Sequence, residues 1–286
     1  CGLFQGHREE CNQLNRSMPE WARNADALVL SHAHIDHSGR IPRIVKNGFE
    51  GNIYCTPATR DLCSVMLRDS AMLQQQDARY LNKRRPKGAK PIEPLYDVDD
   101  AHQAVKQMIS VPLHRPMPIA PGVTLTFYDS GHVLGSALVV LDLEEKGTRR
   151  RLLFSGDLGR EELPLLRSPE IVEGVDVMLL ESTYGDRIHP PWGDLDDQLV
   201  KIVTDTMKRK GRVLIPTFAL ERAQEVLFAF SRLQKAGRLP QIPIYIDSPL
   251  AISITEIYKL HPESLNPAIQ EMLLHRQGPF SPPGLK

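Results

Sequence analysis

The chain is 286 residues long, 41% hydrophobic and 24% charged, with 35 basic and 35 acidic side chains. Those fractions are typical of a globular protein of one large or two ordinary domains, and no apolar run approaches the roughly 18 residues of a membrane-spanning helix. A formal net charge of zero excludes binding of polyanions by bulk charge, so a nucleic-acid partner has to be held by local patches.

The chain opens on CGLFQGHREE without Met and closes on the loop-like GPFSPPGLK, so it is expected to be an interior piece of something longer. Its first buried strand is expected in DALVLSH, followed at once by SHAHIDHSG. In an extended segment residues i and i+2 share a face, so His32 and His34 can point at one ion. Where the chain then turns, Asp36 and His37 can reach a second position nearby, before a helix that is expected to begin around Ser38-Gly39. Imidazole and carboxylate together suit zinc. GNIYCTP reads as the next strand. RDLCSVMLRDSAMLQQQDARYLNKRR has helical spacing at Leu62, Val65, Met66, Asp69, Met72 and Leu73, and PKGAKPIEP after it reads as a loop. FYDSGHVLGSA puts His132 in a glycine-flanked turn between strands. ALVVLDLEEKGTRRRLLFSGD reads as a hairpin that ends at Asp157.

From about residue 176 the pattern changes. DVMLLEST, RVLIPTF and IPIYIDSP read as strands. Between and after them come amphipathic helices in DLDDQLVKIVTDTMKRKG, ALERAQEVLFAFSRLQKAG and LAISITEIYKLHP, an alternation that implies parallel βαβ units. The four cysteines, Cys1, Cys11, Cys55 and Cys63, form no CxxC pair. This argues against a disulfide framework and for a reducing, cytoplasmic location.

SHAHIDHSG, DSGHVLGSA and FSGDLGR resemble the metal motifs of the metallo-β-lactamase fold. ESTYGDR, IPTFALERAQE and IYIDSPLA resemble the β-CASP insertion of its nucleic-acid-processing branch, and the likeness is strongest to prokaryotic ribonucleases related to the nuclease subunit of the mRNA 3′-end cleavage complex. The resemblance implies an α/β protein: an αββα sandwich over residues 1–178 and an inserted parallel α/β β-CASP domain, incomplete here, over 179–286. It implies two zinc ions, one held by His32, His34 and His132, the other by Asp36 and His37, with Asp157 bridging. Asp36 and Glu181 are the expected catalytic carboxylates, Glu181 matching the acidic residue that supports a general-acid histidine. The expected reaction is hydrolysis of single-stranded RNA, by endonucleolytic cut, 5′ exonuclease or both, through a hydroxide shared by the two metals. A DNA-processing β-CASP nuclease, a glyoxalase-type thioesterase and a non-catalytic RNA-binding subunit are the alternatives.

Two family histidines, the general acid and the last ligand of the second zinc, have no match. His189, His261 and His275 read as surface residues. The first metal position is therefore expected to be the better occupied, and this piece alone weakly active or inactive. Arg222 and Ser248 are expected at the C-terminal ends of parallel strands, facing the cleft in the resemblance. Lys83, Arg84 and Arg85, in the basic run RYLNKRRPKGAK beside Tyr80, are candidate RNA contacts. No membrane partner is expected, and a homodimer of the intact protein is allowed.

Overall fold

The computed structural model of the protein describes residues 1–161, 163–188, 195–276 and 278–286; His189 lies outside them. The chain divides into two units, one of Cys1–Glu161 with Ser168–Leu180 and one of Glu162–Arg167 with Glu181–Lys286.

The first unit starts with helices α1 (Arg8–Arg16) and α2 (Glu20–Arg23), strand β1 (Ala27–Val29), helices α3 (Ile35–Ser38) and α4 (Ile41–Lys46), and strand β2 (Asn52–Cys55). The long helix α5 (Pro57–Lys83), helix α6 (Val98–Lys106) and strand β3 (Met108–Ser110) follow. The strands β4 (Met117–Ala120), β5 (Val123–Asp129), β6 (Ala137–Glu145), β7 (Thr148–Phe154) and β8 (Val177–Leu179) complete it. Strands β1, β2 and β3 form a parallel sheet. The other five form a second sheet in chain order, antiparallel except for the β7–β8 pair.

Period-two alternation decides which face is buried where. Tyr54 joins Val111, Leu125, Phe127, Ala137 and Val139 in one cluster, drawing side chains from both sheets into a shared interior. Ile53 and Cys55 point the other way, and both are fully buried. Burial of each large apolar side chain of this kind contributes about 1.5–3 kcal/mol.

Helix α5 begins where Thr56 caps it, the Thr56 hydroxyl oxygen accepting from the Thr59 backbone N–H at 3.2 Å, with Pro57 at the first helical position. Its buried stripe runs through Leu62, Cys63, Met66, Leu67, Ala71 and Ala78. Met72 and Leu73, expected on that face, are exposed. The stripe passes through Ala71 instead, because 3.6 residues per turn carry the next two positions away from the core. Helix α3 also starts earlier than the sequence suggested, at Ile35 with His34 as its N-cap.

The second unit is built from α7 (Leu195–Lys208), α8 (Arg222–Lys235), α9 (Pro249–Leu260) and α10 (Pro267–Leu274). Val203, Phe230, Leu233 and Leu239 form its core. Helix α8 stops as its glycine dictates: Gly237 has φ +69°, and the N–H groups of Arg238 and Gly237 return to the carbonyls of Leu233 and Gln234. Two runs read as strands, RVLIPTF and IPIYIDSP, carry no β-ladder; the second makes a single parallel bridge, Ile244 to Leu285. Among the described residues no neighbouring strand takes their backbone groups, and Pro216 and Pro243 each remove a donor. Leu214, Phe218 and Tyr245 are consequently exposed. The strand–helix alternation survives here as an order of segments rather than as a hydrogen-bonded sheet.

Candidate metal centre

Three chain segments meet at one end of the two sheets of the first unit. The Ala137 N–H donates to the Ser31 carbonyl at 2.9 Å, which ties the start of β6 to the segment leaving β1. The turn from Ser130 to Ser136 links β5 to β6, and Asp157 follows β7, the next strand over. The carboxyl ends of parallel strands are a usual place for ligands.

His32, His34, His132 and Asp157 each offer one ligand atom there, and the four atoms lie within 4.8 Å of one another. His132 Nε2 is 3.2 Å from His34 Nδ1 and 3.5 Å from Asp157 Oδ2. His32 Nε2 is 3.7 Å from the same oxygen, and His37 Nε2 is 3.1 Å from Asp157 Oδ1. Asp36 Oδ2 stands 3.8 Å from His37 Nε2. Side chains from three distant stretches of sequence thus form one cluster, with three imidazoles within 3.7 Å of the Asp157 carboxylate.

The electrostatics single out the same group. His32 is wholly buried, its Nδ1 lies 3.1 Å from the Ser31 hydroxyl, and its Nε2 has no hydrogen-bond partner among the described residues. An unmet polar atom in a dry site costs about 1–3 kcal/mol. Burial, reinforced by the imidazoles of His37, His34 and His132, pushes the His32 pKa well below its usual range against the pull of Asp157. Burial and His132 bring His34 down to about 4. His37 is raised, chiefly by its hydrogen bond to Asp157. That same bond takes Asp157 down to about 2. Near neutral pH the site therefore holds uncharged His32 and His34 beside an ionised carboxylate, the protonation state in which these groups bind a cation.

The residues that support the cluster lie largely inside the quoted motifs, but their individual roles, and the part of Thr56 and Thr59, come from the structure. The Ser136 hydroxyl oxygen accepts from the backbone N–H groups of His132 and Val133 at 3.0 and 3.1 Å, and Asp129 accepts from Gly131 N–H at 2.8 Å. The Thr56 and Thr59 hydroxyls both donate to the Gly135 carbonyl, at 2.6 and 2.9 Å. Gly135 has φ +73°, and a Cβ there would lie 2.6 Å from Ala58 Cβ, so only glycine lets this turn close on α5. A β-carbon on Gly159 would lie 1.8 Å from the Gly131 carbonyl oxygen.

The remaining expected residues belong to other segments of the chain. Glu181 is the first residue of the second unit's longer segment, and its Oε2 accepts from Thr183 N–H at 3.1 Å. Arg222 is the first residue of α8 and pairs with Glu225 at 2.5 Å; Ser248 caps α9, accepting from Ala251 N–H at 3.1 Å. Both stand at helix starts, but no strand precedes either. Lys83, Arg84 and Arg85 sit at and beyond the end of α5. His261, expected at the surface, is buried, its Nδ1 2.9 Å from Glu263, while His275 is exposed. Glu221, which drew no attention in the sequence, is buried with φ 70° and ψ −65°, a γ-turn closed by Arg222 N–H to Leu220 O at 3.0 Å. Its carboxylate accepts from the buried Tyr258 hydroxyl.

Residues 223–286 match the Beta-Casp domain family. The chain is 33% identical over 286 residues to Ribonuclease TTHA0252 of Thermus thermophilus, an alignment covering 100% of this chain and 60% of that protein. It is 32% identical over 258 residues to an RNase J-like protein of Methanocaldococcus jannaschii, covering 89% and 55%. It is 29% identical over 264 residues to the transcription termination factor FttA of Methanothermobacter thermautotrophicus, covering 91% and 39%. The Beta-Casp match thus falls in the second unit, while the histidine–aspartate cluster stands at the end of the two facing sheets of the first. The chain spans at most about 60% of the length of these three relatives.

Proposed function

We propose that the protein is a zinc-dependent ribonuclease that hydrolyses phosphodiester bonds of single-stranded RNA, by endonucleolytic cut, 5′ exonucleolytic trimming or both. The reading rests on one observation above all: four ligand atoms within 4.8 Å, one of them on a fully buried imidazole whose Nε2 has no hydrogen-bond partner among the described residues. In this reading His32, His34, His132 and Asp157 hold one ion, and Asp36 and His37 share Asp157 with a second. Tetrahedral nitrogen and oxygen sites of this composition are characteristic of zinc. When bound, such an ion supplies Lewis acidity toward a phosphate oxygen.

The chain's own residues do the positioning. A proton on His32 Nδ1, donated to the Ser31 hydroxyl, keeps the Nε2 lone pair aimed into the cluster. Ser136 and Asp129 fix the His132 turn from beneath. Glu181 is assigned the support of a proton donor, and Arg222 and Ser248 contact with the substrate. We assign residues 1–178 to the metal-bearing domain and 179–286 to the β-CASP domain, and a cytoplasmic location. RNA is favoured over a thioester because the relatives' names speak of RNA or of transcription.

The test offers labelled RNA, DNA of the same sequence and a thioester to the whole protein, with and without chelator. RNA cleavage that chelator abolishes, zinc restores and His32→Ala loses is the expected outcome. Thioester hydrolysis with intact RNA, or RNA cleavage indifferent to chelator, would refute it.

A further inference from the structure

In a chain of balanced charge, one surface of the first unit is strongly lopsided. Arg79, Lys83, Arg84, Arg85, Lys87 and Lys90 fall between Asp77 and Glu93 with no acidic residue between. Among the described residues, none of the six has a carboxylate within ion-pair reach, whereas the arginines of the β6–β7 hairpin are matched to Glu144, Asp142 and Asp176. The segment is held in place. Asn82 and Ile92 exchange hydrogen bonds at 2.8 and 2.9 Å, closing the loop back onto the helix end, and the Arg85 guanidinium donates to the Ala89 carbonyl. Tyr80 is 56% exposed, with the Arg84 guanidinium 3.8 Å from its ring centroid. That exposure leaves ring surface that a flat partner can meet.

We infer that residues 79–90 form a docking platform for single-stranded RNA, remote from the metal centre, through which the protein prefers long chains; this rests on the ribonuclease reading above. Cations that track a phosphate backbone beside an aromatic ring that stacks a base are what sequence-tolerant single-strand binding requires. An acidic protein would satisfy the cations and leave the Tyr80–Arg84 pair idle. The distance follows from one rigid element. The first turn of α5 holds the Gly135 carbonyl in the His132 turn through Thr56 and Thr59, and the platform lies at the helix's other end. At 1.5 Å per residue, the 27 residues of α5 span about 40 Å. At about 3.4 Å per stacked nucleotide, that is roughly a dozen nucleotides. A 30-mer can engage both places at once; a 5-mer cannot.

The experiment measures affinity of the metal-loaded whole protein for cleavage-resistant phosphorothioate RNA, 5 and 30 nucleotides long, by fluorescence anisotropy across salt. For the variant K83Q/R84Q/R85Q/K87Q, the preference for 30-mer over 5-mer should fall at least tenfold. Its salt slope on the 30-mer should shrink by about 3, at roughly 0.7 per lost phosphate contact. Tyr80→Ala should weaken 30-mer binding about fivefold or more. An unchanged length preference in the quadruple variant overturns the platform. So does polyglutamate of matched charge binding as tightly as RNA with Tyr80→Ala silent, which would assign the surface to an acidic protein. Cleavage of ordinary RNA is read separately: its absence sinks the ribonuclease reading, while the binding data still decide the platform.

Discussion

Replacing Asp157 by Asn keeps the shape of the side chain at the middle of the cluster and erases its charge. In the metal-free protein the carboxyl titrates at about 2 against an ordinary 3.8, close to 2 pKa units, worth at most about 2.5 kcal/mol. The side chain is 32% exposed, so solvent screening brings the expected loss to about 1 kcal/mol. The sign depends on pH from two directions. A depressed carboxyl pKa stabilises above the unfolded value and is lost as pH falls from 3.8 toward 2. The raised His37 pKa stabilises below 6.5 and is lost as pH climbs through the folded value. The ion pair is therefore strongest between about pH 4 and 6.5. Thermal unfolding of wild type and Asp157→Asn in chelator should differ by about 2 °C near pH 5.5, and by clearly less at pH 8.5 and at pH 2.5. An equal difference at all three values, or none at any, would show that the charge at residue 157 does not organise the cluster.

Two other outcomes follow from the same geometry. With His34 at about 4 and His32 held by burial well below its usual range, protons compete for these ligands only in acid, so bound metal should survive dialysis at pH 6 and leave as pH approaches 4; loss between pH 7 and 6 would mean that the imidazoles titrate like solvent-exposed ones. Gly135→Ala forces a β-carbon to within 2.6 Å of Ala58 at positive φ, and should cost about 2–4 kcal/mol while lowering metal content; denaturant unfolding and elemental analysis measure the two, and wild-type values in both would show that the His132 turn does not depend on that approach.

How much could be read in advance varies by segment. The strands carrying DALVLSH and GNIYCTP, the β6–β7 hairpin and all three helices expected after residue 194 form where local pattern put them, because periodicity and turn chemistry act over a few residues. RVLIPTF and IPIYIDSP have the composition of strands without a ladder. Composition sets what a segment can pair with, and only a neighbour decides whether it does. Met72 and Leu73 show the same limit on a helix. Their apolar character was plain, yet the side on which α5 meets its neighbours is a property of the packed unit. His261 is buried for a similar reason: nothing local to LHPES reports what packs over it.

By itself the sequence determined the inventory of donors: three imidazoles and a carboxylate within six residues, one more imidazole framed by glycines, one more carboxylate at a strand end. Ligand chemistry resides in side-chain type, which needs no fold to be read. Only tertiary structure decided that these groups converge, with the unmet nitrogen of His32 aimed into their midst. It also revealed that Ser31, Asp129 and Ser136 fix their directions, since residues about a hundred positions apart become neighbours only through the pairing of strands.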